Sequence, residues 1–297
     1  MRAQPRPPST FHMRVGTFVL RVRTDFPALA ATLAQLYAGF PIWEAERDSF
    51  ADFHVDVART RNPLRLLRPQ ATFLLDGAPP FLPLGAAHAL LVFEGGLNWT
   101  IAEHATCFLV LHAATVERHG RAVVLPAESG SGKSTLTAAL VHRGWRLLSD
   151  EFALITPRDG TLAALARPIS LKNESIAVIR DRVPGAFLTA PLTDTMKGNV
   201  SFLRPPAESV RRMQEAAQPH FVVVPKYDRT IAGARLTAKS KPQAFKELHA
   251  NAYNFHRLGR PAFELLADLV DRSGCHDLRF GDLDAAVRAM EALTAPD

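Results

Sequence analysis

Apolar positions recur along the chain with two spacings, one of strands and one of helices. After a proline-rich start, "RVGTFVLRVR" reads as a strand. "TDFPALAATLAQLYAGF" reads as a helix with Leu29, Leu33, Leu36 and Tyr37 on one face. Asp25 or Thr24 can cap that helix, Pro27 is tolerated in its first turn, and Gly39 stops it. In "FADFHVDVAR", Phe53, Val55 and Val57 alternate with Asp52, His54 and Asp56, as in a half-buried strand. "ATFLLDGAPPFLPL" predicts a strand, an Asp76-Gly77 turn and a further extended piece. Residues 1–95 thus read as a small, strand-rich α+β region with no catalytic motif.

From about residue 100 the pattern changes. "CFLVLHAATV" and "GRAVVLPA" are short apolar runs with β-branched residues, "STLTAALVHRG" is a helix ended by Gly144, and "WRLLSDEFALI" is one buried strand. A strand–loop–helix–strand succession of this kind signals an α/β domain, here assigned to residues 96–297. Further on, "HFVVVP" reads as a strand. "PAFELLADLVDRSG" predicts an amphipathic helix with Phe263, Leu266, Leu269 and Val270 inward. "GDLDAAVRAMEALT" predicts a last helix capped by Asp282.

Composition changes this picture little. The apolar fraction of 47% is ordinary for a globular chain. No run approaches the roughly 18 to 20 apolar residues of a membrane helix, and the start lacks a secretory core, so a cytoplasmic protein without a membrane partner is expected. Cys107 and Cys275 form no metal or redox motif and are expected reduced and buried. The net charge of +6 is spread along the chain, so no nucleic-acid partner is expected. The densest basic run, "RTRNPLRLLRP" from Arg59 to Pro69, is either a surface for an acidic partner or a solvated face.

The candidate chemistry begins with "AESGSGKS", Ala127 to Ser134. It fits the phosphate-binding loop pattern except that Ala127 replaces the first glycine. Gly130 and Gly132 let the backbone curl so that its N–H groups face a phosphate. Lys133 would reach the β- and γ-phosphates, and Ser134 would offer a hydroxyl to Mg²⁺. The whole segment Ala127, Glu128, Ser129, Gly130, Ser131, Gly132, Lys133, Ser134 and Thr135 is the expected ATP site, at the positive end of a helix. ATP and Mg²⁺ are the expected ligands.

Two acids, Asp150 and Glu151, follow at the end of the next predicted strand, Asp150 only 17 residues after Lys133. In a parallel sheet that end lies beside the loop. One acid near the metal and another near an incoming hydroxyl is the minimal equipment for phosphoryl transfer. His112 ends the strand "FLVLH", and on spacing alone it fits a structural residue as well as a functional one.

Together these features resemble the kinase domain of HPr kinase/phosphorylase, a bacterial serine kinase whose fold is similar to that of phosphoenolpyruvate carboxykinase. The carriers are "LHA", "AESGSGKS", "HRG" and "LLSDE". The chain also resembles the HPr kinase-related kinases through Asn98-Trp99, Gly130 to Leu136, Arg143 to Glu151, Arg167 to Ile176 and Lys197-Gly198. The resemblance implies Asp150 as the base on an acceptor hydroxyl, His112 beside the transferred phosphate and Glu151 assisting the metal. It also implies a serine of a peptide or small protein, such as a biosynthetic precursor peptide, as acceptor, and a homo-oligomer.

The chain departs from that pattern after the acids, where "SLKNESIAV" stands in place of a "LEIRGLG"-type segment. Lys172 and Glu174 there are candidate site-lining residues. "MKGNVSFLRPP" offers Lys197 and Arg204 as candidate phosphate contacts where the family has an arginine loop. Asn98-Trp99 and "NAYNFHRLG" are candidate acceptor contacts or core residues. Residues 1–95 do not read like the family's regulatory domain. Two other activities fit the residues, an ATPase switch with water as acceptor and a small-molecule kinase.

Overall fold

The computed structural model describes residues 10–44, 49–60, 68–128 and 130–296, and all structural statements concern these. The chain begins with a hairpin, β1 (Thr10–Val15) and β2 (Phe18–Thr24), followed by α1 (Pro27–Leu36), β3 (Ile42–Glu44), β4 (Phe53–Arg59), β5 (Gln70–Leu75), β6 (Leu84–Gly85) and α2 (Ala89–His104). These strands form one six-stranded sheet in the order β3-β1-β2-β4-β5-β6, in which only β2 and β4 run parallel. The "RVGTFVLRVR" segment is therefore the second half of a hairpin and not one strand. Gly16 makes the turn at φ 61°, and a side chain there would meet the Ala164 carbonyl oxygen at 2.2 Å.

The second half continues with β7 (Leu109–Arg118), β8 (Arg121–Pro126), α3 (Lys133–Val141), β9 (Arg146–Ser149), β10 (Phe152–Ile155) and β11 (Leu162–Ala163). It goes on through β12 (Ile169–Lys172), α4 (Glu174–Arg182), β13 (Leu192–Thr195), β14 (Gly198–Leu203) and α5 (Ala207–Arg211). It ends with β15 (Pro219–Tyr227), β16 (Ala234–Ala238), α6 (Lys241–Ala250), α7 (Phe255–Leu258), α8 (Arg260–Arg272), β17 (Gly274–Phe280) and α9 (Leu283–Leu293). The central sheet runs β11-β10-β7-β8-β15-β17-β16, with β9 also on β7. A small third sheet runs β12-β14-β13. Helices cover both faces of the central sheet. Leu136 and Leu140 of α3 pack with Val287 and Met290 of α9 over Val123, Leu125 and Val223. On the other face, Leu248 of α6 and Leu266 and Leu269 of α8 cover Val124 and Val222. The architecture is a mixed α/β arrangement of three sheets.

Several expectations need correction. The acids do follow the C-terminal end of a strand that runs in the same direction as β8, but that strand is short and joins β7, not β8. "WRLLSDEFALI" is broken at Asp150-Glu151 into β9 and β10, and both halves pair antiparallel with β7. Helix α2 has no counterpart in the sequence reading, because Gly95-Gly96 interrupts its apolar pattern, and it spans the position between 95 and 96 where the sequence changes character. Its buried face and the first sheet share a core with Phe108, Val110, Phe152, Val200 and Phe202 of the second half. Phe263 is exposed and leans on Phe245, while Ala262 takes the inward place in α8. Cys275 is buried but Cys107 is exposed, in the turn between α2 and β7. Neither Asp25 nor Thr24 caps α1 with its side chain, whose N-cap is Phe26; Asp282 does cap α9, accepting from Asp284 and Ala285 N–H. Residues 61–67 of the basic run lie outside the described residues, and Arg59 packs over the Phe26 ring. No described helix is long and apolar enough to cross a membrane.

The glycine pair in α2 separates two effects of adding a methyl group. At Gly96 a Cβ would fall within 2.1 Å of the Phe73 ring, whereas at Gly95 it would meet nothing within 4 Å. Gly96→Ala is therefore expected to lower unfolding stability by about 1–3 kcal/mol through overpacking. Gly95→Ala should raise it by up to about 1 kcal/mol through helix propensity. Urea denaturation of the two variants measures both signs.

Candidate active site

The loop between β8 and α3 is curled and closely backed. Gly130 (φ 87°) and Gly132 (φ 84°) hold left-handed conformations that glycine adopts without strain. A Cβ on Gly132 would stand 3.0 Å from the Tyr227 side chain and 3.1 Å from Phe280, so β15 and β17 press the loop from behind. Tyr227 N–H donates to the Ser131 carbonyl at 2.8 Å, fixing that contact. Ala127 is buried, Glu128 is exposed, and Ser129 lies outside the described residues. Gly132 is the N-cap of α3 and supplies no side-chain cap. The first N–H groups of α3 are thus left for an external acceptor, an arrangement suited to an anion, with Ser134 and Thr135 half-buried in the same turn.

Lys133 is only 7% exposed, and its ammonium needs acceptors. It donates to the Asp150 carbonyl at 3.0 Å and to His112 Nε2 at 3.3 Å. An ammonium can only donate, so Nε2 must be the accepting nitrogen and the imidazole proton sits on Nδ1. Nδ1 lies 3.1 Å from the Tyr253 hydroxyl, which can accept that proton's bond, and 4.0 Å from Glu151 Oε2. Burial and the Lys133 charge bring the His112 pKa down to about 4, with Lys172 and Lys197 adding to the effect and Glu151 opposing it. His112 is therefore a neutral imidazole at pH 7.

Ser149 makes the break that displays the acids. Its hydroxyl accepts from Glu151 N–H at 3.3 Å and Phe152 N–H at 3.0 Å, turning the chain out of β9 before β10 resumes along β7. Asp150 is 3% exposed, and neither of its carboxylate oxygens has a completed hydrogen bond. Burial pushes its pKa up to about 6; Lys133 opposes this, Glu151 adds to it, and Ser134 and the Ser170 backbone lie near enough to restrain it. A buried carboxylate without a partner is costly, and a cation or a donating hydroxyl would relieve it. Among the described residues no three His, Cys, Asp or Glu side chains converge into a metal cage. One or two carboxylates and a hydroxyl beside a phosphate loop are instead the donor set of Mg²⁺ bound together with a nucleotide. Asp150, Glu151 and Ser134 fit that ion.

Beside Asp150 opens a small cleft of about 70 Å³, continuous with solvent. Helix α2 contributes Glu94, Gly95 and Asn98 to its lining, β12 contributes Ser170 and Lys172, and the β13–β14 turn contributes Lys197. The floor carries a buried polar network. Arg167 Nη2 meets Glu94 Oε2 at 2.6 Å, Arg167 Nη1 donates to Asn98 Oδ1 at 2.7 Å, and Tyr37 donates to Glu94 Oε1 at 2.8 Å. Burial alone would lower the Arg167 pKa, but Glu94 and Tyr37 outweigh it and hold the guanidinium charged.

The residues expected from sequence divide accordingly. His112, Lys133, Asp150 and Glu151 meet, and Lys172 and Lys197 line the adjoining cleft. Glu174 is exposed at the start of α4 and does not line it. Arg204 points elsewhere, donating to the Gln35 carbonyl at 3.3 Å and covering the Phe187 ring. Asn98 lines the cleft, but its neighbour Trp99 packs against Phe81 and His104. Tyr253, within "NAYNFHRLG", reaches His112, because Asn251 and Tyr253 pair with the backbone of β7 at His112 and Val110. The Tyr37–Glu94–Arg167 network escaped the sequence reading. Tyr37 was legible as an inward residue of its helix and Arg167 as part of the segment Arg167 to Ile176, but nothing local signals Glu94 or the pairing of the three.

In the metal-free protein Asp150 should take up its proton as pH falls through about 6, and Glu151→Gln should shift that midpoint downward by removing a like charge. Carboxyl infrared difference spectra against pH would show both. A wild-type midpoint near 4 would contradict the burial argument.

Comparison with known proteins agrees in direction. A family model for the SynChlorMet cassette protein ScmC matches residues 98–170. HPr kinase/phosphorylase of Stenotrophomonas maltophilia strain K279a is 34% identical over 112 residues, and that of strain R551-3 matches with the same figures. Each match takes in 36% of this chain and 34% of the relative, so it spans about a third of the length of those curated proteins. The chain is thus distantly similar to HPr kinase/phosphorylase over part of its length.

Proposed function

We propose that this chain is a Mg²⁺- and ATP-dependent phosphotransferase that moves the γ-phosphate to a hydroxyl, with a serine of a peptide or small protein as the acceptor. The observation that carries this reading is the position of Asp150. It is an unpartnered, buried carboxylate between the lysine of a phosphate-type loop and an open cleft. The distant similarity to HPr kinase/phosphorylase supports the same reaction class.

In this reading the first turn of α3 and the loop N–H groups receive the phosphates. Lys133 exchanges the Asp150 carbonyl and His112 for phosphate oxygens, a short movement for a flexible side chain. Asp150 accepts the proton of the acceptor hydroxyl as its oxygen bonds to phosphorus and the bond to the β-phosphate oxygen breaks, releasing ADP. His112, neutral and tied to Tyr253, faces the transferred group without competing as a charge. Mg²⁺, held by Ser134 and Glu151 with the phosphates, would supply charge neutralisation at the γ-phosphate.

The test is transfer from γ-labelled ATP, in the presence of Mg²⁺, to a lysate of the protein's source. Asp150→Asn should lower transfer at least about a hundredfold while changing ATP affinity only a few-fold. Lys133→Ala should lose a comparable factor by removing charge stabilisation of the transition state. Full transfer by Asp150→Asn would overturn its role as base. Release of free phosphate with no labelled acceptor would favour an ATPase.

A further inference from the structure

The cleft beside Asp150 has a chemical character of its own. Lys172 and Lys197 both line it, and among the described residues neither ammonium has a carboxylate at ion-pair distance. Both lysines line the same cleft as Asp150 and Glu151. The floor arginine is already neutralised by Glu94, but Arg167 Nε is buried and has no acceptor. Helix α2 and β13 are tied at the start of the helix, where the His88 ring meets the Thr193 carbonyl at 2.8 Å. Gly95 is the one lining position at which the wall is backbone with empty space in front of it, since an added Cβ would touch nothing within 4 Å.

We propose that this cleft is the acceptor subsite and that it selects a hydroxyl flanked by an anionic group, a carboxylate or phosphate, which Lys172 and Lys197 pair with while Gly95 leaves the room for it. The proposal rests on the phosphotransferase reading and adds to it the class of acceptor. It also assigns a purpose to the first half of the chain, whose helix α2 lines the same cleft as the lysines. Two ammonium groups on the cleft's edge favour an incoming anion, because each gains an ion pair that the described residues do not provide. A neutral acceptor would leave both lysines to water, and with Asp150 and Glu151 on the same cleft the ion at those acids leaves the lysines as its free positive charges among the described residues. The same chemistry can come from an acidic peptide or from a small phosphorylated alcohol, and the probes below separate those sources.

The experiment uses the full chain saturated with Mg²⁺ and AMP-PNP, so that the γ-phosphate position is already filled. Two probe pairs are then titrated by NMR: acetyl-Glu-Ser-Glu-amide against acetyl-Gln-Ser-Gln-amide, and glycerol 3-phosphate against glycerol. At least tenfold tighter binding of the charged member is expected in one pair, and the pair that shows it names the source. Gly95→Leu should weaken that probe at least tenfold with AMP-PNP affinity unchanged, and the Lys172→Ala/Lys197→Ala double variant should erase the preference for charge. Equal binding of charged and neutral members in both pairs would overturn the proposal, as would a lysine variant that loses AMP-PNP affinity by the same factor. Failure of the wild-type chain to bind AMP-PNP would instead overturn the phosphotransferase reading and this inference with it.

Discussion

A nearly buried ammonium must be answered by acceptors, and much of the site follows from how Lys133 is answered. Its two partners come from different strands, the Asp150 carbonyl at the β9–β10 break and His112 Nε2 on β7. The first contact ties the start of α3 to the break that displays the acids. The second fixes which imidazole nitrogen carries the proton, and so fixes the direction of the bond to Tyr253. Neither partner is a carboxylate side chain. Asp150 is left without an ion pair or a complete hydrogen bond, with only the Ser134 hydroxyl and the Ser170 backbone near it, and burial raises its pKa and leaves it available to a cation or a hydroxyl.

A second buried charge does comparable work in the cleft. Arg167 and Glu94 form an ion pair in which both side chains are almost fully buried, with Tyr37 and Asn98 completing most of its hydrogen bonds. Such a pair contributes little net stability compared with an apolar contact, but breaking it by removing one partner costs about 3–5 kcal/mol. Its value here is positional. It joins a helix of the first half to the strand-like segment entering β12, and so holds two parts of the cleft lining together.

What could be read from the sequence was what depends on near neighbours. The strand–loop–helix unit around Lys133, the Asp76-Gly77 turn and the Asp282 cap are set within a few residues, and they stand where the pattern puts them. The acid pair and its place at the end of the strand after α3 are legible, but the break that follows it and the pairing partner are not. Pairing of β9 and β10 with β7 is a long-range outcome, and the Ser149 hydroxyl that breaks the strand leaves no periodic trace. Helix α2 was hidden because its glycines serve opposite needs, one admitting the Phe73 ring and the other facing open space. Phe263 and Cys107 show the same limit from the other side, since apolar residue types ended on the surface where a neighbouring element left no cover.

Helix α2 also bears on how this chain can be divided. It runs without interruption from the first sheet to the turn before β7, and its inner face belongs to a core that includes Phe152 of β10 and Phe202 of β14. Cutting the chain where its composition changes would divide a 16-residue helix and bare aromatic rings on both fragments. The helix thus belongs to the cores of both halves, and a substitution on its inner face is felt on both sides of the point where the composition changes.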